Sequence, residues 1–175
     1  MERYALLFSL AIIAGCGDGK QDAVDRMAEE AAADSATATV LDLGMYDTPL
    51  LITPPDAQLL GGAAATATWN EEFGRVEVRA GEHFALNIAE GPGDLARLKA
   101  DLERDMLRKH ALIEQTSDRI VYRSQFPDEA LVSVHFLRVV QVGGKIFEVT
   151  DHDEGRFTEQ DIRRMIGSVA PKQPA

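Results

Sequence analysis

Leu131-Val132-Ser133-Val134-His135-Phe136-Leu137-Arg138-Val139-Val140-Gln141-Val142, then Gly143-Gly144, then Lys145-Ile146-Phe147-Glu148-Val149, is the stretch that decides the fold. Twelve residues dominated by β-branched and aromatic side chains read as a long strand. Two glycines between such runs fit a two-residue hairpin, because both central residues of that turn can take positive φ. An antiparallel pair is therefore expected at the centre of the C-terminal half.

Working backward, residues 112–116 and 119–126 read as strands around a Ser117-Asp118 turn, with Ile120, Tyr122 and Phe126 on one face. Before them, Leu95, Leu98, Leu102 and Met106 fall on one stripe and predict a helix over 94–110, opened by Gly91-Pro92-Gly93. His110 would close that helix, where its dipole suits an imidazole. Further upstream, 84–88 and 75–80 alternate with a period of two, 64–69 is an alanine-rich strand, and 50–53 is a short strand stopped by Pro54-Pro55. Forward of the hairpin, Thr158 with Asp161 three residues on predicts a capped helix, whose buried stripe is Ile162, Met165, Ile166 and Val169. The expected fold class is α+β: an antiparallel sheet of about six to eight strands with two helices packed on it, both on one face.

The first residues follow other rules. Tyr4 to Ile13 form an apolar run of ten residues, about 15 Å as a helix and half the hydrocarbon thickness, which reads as a signal-peptide core and not a membrane span. It ends in Ile13-Ala14-Gly15-Cys16, which resembles the lipobox of bacterial lipoproteins. That resemblance implies loss of residues 1–15, a diacylglyceryl group on the Cys16 thiol, an acylated new amino terminus, and attachment to a membrane of the bacterial envelope. Gly17 after the cysteine favours the outer membrane in a two-membrane cell. The alternatives are an ordinary secretory signal with a chance cysteine, or a buried N-terminal strand. Residues 16–45 read as an acidic, alanine-rich tether, 46–170 as the domain and 171–175 as a disordered tail.

Residues 46–169 also resemble a group of small bacterial lipoproteins of uncharacterised role and, more distantly, the PsbP-like α/β sandwich. The features carrying this are the Tyr46 to Ile52 entry with Pro54-Pro55, the Phe84-Ala85-Leu86-Asn87-Ile88 strand, the central helix, and Phe157-Thr158-Glu159. It implies a fold and a non-catalytic accessory role, and no site residues.

Charge and composition narrow the function. A net charge of −11 argues against nucleic acid, which needs a clustered basic surface. Cys16 is the one cysteine, so neither a disulfide nor a free catalytic thiol is expected. The four histidines show no zinc-ligand spacing, and no Ser/His/Asp set is visible in the sequence. Asp151-His152-Asp153-Glu154-Gly155 is the best candidate for a divalent ion, through Asp151, His152 and Asp153. It fails as a calcium loop, because glycine comes fifth and Ile162 stands where a bidentate Glu belongs. Arg119, Tyr122, Arg123 and Arg138 are candidates for an interaction surface, since Arg and Tyr anchor interfaces. The expected role is a non-enzymatic binding module, with no cofactor, held at a membrane by lipid and partnered by another envelope protein. The alternative is a small-ligand or metal-binding protein, open to enzymatic chemistry, that uses the Asp151 to Glu154 loop with His135.

Overall fold

The structure, a computed structural model, describes residues 39–173. The signal segment, Cys16, the tether up to residue 38 and the last two residues of the tail lie outside the described residues. The elements run β1 (Leu41–Asp42), β2 (Leu50–Ile52), β3 (Thr66–Asn70), β4 (Arg75–Ala80), β5 (Phe84–Glu90), α1 (Leu95–Arg104), β6 (Lys109–Gln115), β7 (Arg119–Gln125), β8 (Val132–Val142), β9 (Lys145–Asp151), α2 (Glu159–Ser168) and β10 (Val169–Pro171). Short 3-10 turns at Leu43–Tyr46 and Ala57–Leu60 complete the order. The class is α+β, rich in strand, with two helices and two antiparallel sheets among the described residues.

Seven strands form the large sheet in the order β3-β4-β5-β9-β8-β7-β6. From β5 the chain passes through α1 to the far edge at β6, then meanders back until β9 pairs with β5. The expected hairpin is present: Val142 faces Lys145, with Gly143 at φ 60° and Gly144 at φ 78°. A second sheet, β1-β2-β10, has no counterpart in the expected fold. Val169 belongs to its last strand and not to the helix. Pro171 and Lys172 are likewise held, the latter through its amide to the Pro49 carbonyl (2.9 Å). Leu43 is fully buried, so the domain core takes in residues upstream of Tyr46.

Register assigns the core. Val76, Val78, Phe84, Leu86, Ile88, Phe147, Val149, Phe136 and Val140 share one face of the large sheet and are buried with Leu50, Ile52, Ile162 and Met165. Each such Phe, Leu or Ile contributes about 1.5–3 kcal/mol by leaving water. α2 contacts β5 and β8 on this face. Its start is the expected capping box: Asp161 donates its amide to Thr158 Oγ1 (3.2 Å) and accepts the Thr158 amide (3.0 Å).

α1 is shorter than its apolar stripe predicts. The Asp105 carboxylate accepts the Leu107 and Arg108 amides (2.8 and 3.2 Å) and turns the chain, so Met106 is 95% exposed and His110 lies in a strand, β6, rather than closing the helix. Leu98 and Leu102 of α1 line a cavity with Tyr122 and His135. Register places those two on the face opposite Phe136 and Val121. The helices are therefore found at opposite faces of the sheet, not on one. Gly93 (φ 66°) makes the approach of α1 possible, since a Cβ there would sit 2.8 Å from Val139 and 2.9 Å from Ile146.

Candidate functional site

The three metal candidates part company. Asp151 is buried, and its carboxylate accepts the Phe136 amide (2.8 Å) and pairs with His135 Nδ1 (2.7 Å). His152 turns to the Arg79 guanidinium. Asp153 is exposed and lies 3.7 Å from Arg75. β9 ends at Asp151 and the chain turns from His152 to Gly155, whose amide donates to the His152 carbonyl (2.9 Å), and among the described residues no group of three His, Cys, Asp or Glu side chains is arranged to hold a metal.

The four interface candidates do not form one surface. Arg119, Arg123 and Arg138 point to the α2 face and are engaged there. Arg138 donates to the Ile166 and Val169 carbonyls (2.7 and 2.9 Å), Arg123 pairs with Glu159 (3.2 Å) and Arg119 with Glu114 (2.6 Å). Arg138 and Arg123 fasten α2 and β10 to the sheet, and Arg119 joins β7 to β6. Tyr122 is on the reverse face.

Tyr122 sits instead in a cluster of polar side chains beneath α1. Its ring lies between His110 (centroids 5.9 Å, edge-on) and His135 (5.5 Å). His110 Nε2 is 2.8 Å from Asp105 Oδ2, and its Nδ1 is 2.8 Å from Ser124 Oγ. His135 Nδ1 is held by Asp151. The expectation that no Ser, His and Asp are brought together is thus corrected: the β6–β7 register sets His110 opposite Ser124, and the turn after α1 supplies Asp105. The bond from His110, with the Leu107 amide, holds the Asp105 carboxyl well below its usual range. Burial, reinforced by the charge of Asp151, pushes the Tyr122 hydroxyl up to about 12, so it keeps its proton at any physiological pH.

The Asp105 carboxylate at one ring nitrogen of His110 and the Ser124 hydroxyl at the other set the three side chains in line. This is the order of nucleophile, base and orienting acid used in acyl transfer. The setting differs. Ser124 is only 5% exposed, and β7 is paired on both sides by β6 and β8. The backbone of β7 is committed to ladders on both sides. The cluster opens to a cavity of about 300 Å³ that Leu98, Leu102, Arg108 and Asp153 also line. On the β3–β5 half of this face lies Glu77. Burial raises its carboxyl, but hydrogen bonds from Arg79, Arg75 and Asn70 outweigh that and hold it at about 2.

Two further features were not foreseen from the sequence. A groove of about 520 Å³ lies between the Leu43–Tyr46 turn and the ends of β3, β5 and β9. Elsewhere, Met106 and Leu107 (95% and 75% exposed) stand beside Phe126, Leu131 and Val132, each about half exposed. Lys109 pairs with Gln125, and Gln125 with Val132, so these residues flank three neighbouring strand ends. Arg108 lies 5.8 Å over the Phe126 ring.

Comparison with known families, curated proteins and solved structures returns no match. The role of the domain is therefore argued from these surfaces.

Proposed function

We propose that the chain is a bacterial envelope lipoprotein, cut before Cys16 and held by lipid there, whose domain is a non-enzymatic binding module for another envelope protein. The observation supporting it is the set of exposed apolar side chains Met106, Leu107, Phe126, Leu131 and Val132 around the ends of three neighbouring strands of an acidic domain. Such surfaces on soluble domains mark contacts with partners. Two or three acyl chains give lasting attachment, since each buried methylene contributes about 0.8 kcal/mol. In this reading both helices serve the large sheet, one on each face.

Crosslinking in cells followed by purification of the intact chain from membranes tests it. One stoichiometric envelope protein is expected, lost with Met106→Ser plus Leu107→Ser and weakened with Cys16→Ala. Retention of the same protein by the patch variant would overturn the assignment of the surface. Absence of lipid on Cys16 in the intact mass would overturn the anchor.

A second reading rests on the Asp151–His135 pair, whose imidazole lines the cavity beneath α1. It takes the domain as a small-ligand or divalent-metal binder, open to catalysis. A melting temperature raised by one ion in a metal panel is its expected signature, and in Asp151→Ala plus Asp153→Ala that ion should give no rise above the variant's own metal-free value. A flat response across the panel removes the metal version.

A further inference from the structure

Trp69 is the only tryptophan of the chain, and it is 47% exposed on β3, the edge strand of the large sheet. It forms one wall of the groove of about 520 Å³, a volume typical of ligand sites. Ile88 and Phe147 form the floor, and Met45 and Tyr46 of the 3-10 turn stand opposite. The Tyr46 hydroxyl donates to the Ala67 carbonyl (2.8 Å), which ties the turn to the edge strand. At the rim, Lys145 Nζ lies 2.6 Å from Asp47 Oδ2 and 3.3 Å from Glu90 Oε2. Asp47 is the only non-glycine with positive φ among the described residues (55°), the conformation that closes the turn.

The chemistry of this lining selects its occupant. Two carboxylates around one ammonium leave the rim with a net negative charge, which disfavours fatty acids, phosphates and other anions. Lys145 already fills the space between the carboxylates, so a second cation has no empty place there. A wholly apolar occupant would strip water from three charged groups without replacing their hydrogen bonds. The remaining class is a neutral molecule with an apolar face and many paired hydroxyl donors and acceptors. A saccharide ring meets this description: its C–H face lies on the tryptophan, and its hydroxyls bond carboxylate and ammonium groups at the edge.

We propose that the groove between the Leu43–Tyr46 turn and the sheet binds a neutral oligosaccharide, stacked on Trp69 and hydrogen-bonded by Asp47, Glu90 and Lys145. This goes beyond the docking patch, which lies elsewhere on the domain, and does not depend on it.

Because Trp69 is the sole indole, the intrinsic fluorescence of the full chain in phosphatidylcholine vesicles reports on the groove directly. Titration with chitotriose and with cellotriose is expected to give a saturable change with at least one of them at millimolar concentration. Glu90→Gln, a rim change that keeps side-chain shape, is expected to weaken the response at least about fivefold. Trp69→Leu is expected to abolish binding read by saccharide-observed NMR, a loss of at least about tenfold, as for aromatic anchors generally. Unchanged melting temperatures of both variants would confirm that the fold is intact. No saturable change with either saccharide overturns the proposal. So does a response to palmitate or inorganic phosphate without one to saccharide, or a saccharide response that Glu90→Gln leaves unaltered.

Discussion

Replacing Asp151 with alanine should be among the most costly single changes in the domain. The β8–β9 ladder ends at the Leu137–Thr150 pair, and the next amide along β8, that of Phe136, donates to Asp151 Oδ1 at 2.8 Å. The other oxygen holds His135 Nδ1 at 2.7 Å, and the residue is 4% exposed. Alanine removes two hydrogen bonds to a charged acceptor, each worth about 1.5–3 kcal/mol, and leaves a buried amide unpaired. The desolvation cost of the carboxylate disappears at the same time and offsets part of the loss. The expected net destabilisation is about 2–4 kcal/mol. Asp151→Asn keeps an acceptor for Phe136, while His135 can turn its proton to Nε2 and accept from the amide, so about 1 kcal/mol is expected. Urea unfolding followed by circular dichroism reads both, with a midpoint shift of roughly 1–2 M for alanine at the slopes usual for domains of this size. An alanine variant within about 0.5 kcal/mol of wild type, below the usual worth of one hydrogen bond, would refute the argument. So would an asparagine variant as unstable as alanine.

Three other outcomes follow from the same geometry. Gly93→Ala should destabilise by at least about 1–2 kcal/mol, since the new Cβ meets Val139 and Ile146 and the backbone keeps a positive φ; Gly143→Ala, facing open space, should cost less in the same urea assay. Arg138→Met should lower stability by about 2–3 kcal/mol by releasing the Ile166 and Val169 carbonyls, seen as faster hydrogen exchange at the end of α2 and in β10. Tyr122 gives a pH signature. Its folded-state value of about 12 lies above the ordinary 10.0, so the unfolded chain releases its proton first, and this residue makes the fold lose stability as pH rises from about 10 to about 12. Tyr122→Phe should flatten that segment of the stability profile and leave neutral pH little changed in this respect.

How far the fold could be read ahead depended on whether a signal was local. The β8–β9 hairpin was legible because a two-residue period ran unbroken into a glycine pair. The α2 cap was legible because Thr158 and Asp161 are three residues apart. The end of α1 was not, because Met106 continues the helical stripe, and only the acceptor geometry of Asp105 turns the chain before it. β10 was hidden because Val169 prolongs the stripe of α2 at helical spacing. The His110 cluster joins Asp105, His110 and Ser124 through the pairing of β6 with β7, a long-range fact that no local pattern carries. The grouping of Arg119 and Arg123 with Tyr122 was avoidable. They stand at odd and even positions of one strand, and alternation alone sends them to opposite faces.

The claim that the domain is a docking module is tested most directly by a photoreactive amino acid placed at position 107 of the intact, membrane-held chain, with position 59 as an exposed control. A single crosslinked envelope protein from position 107 and none from 59 is the predicted result. Equal labelling from both positions, or none from 107, would contradict it.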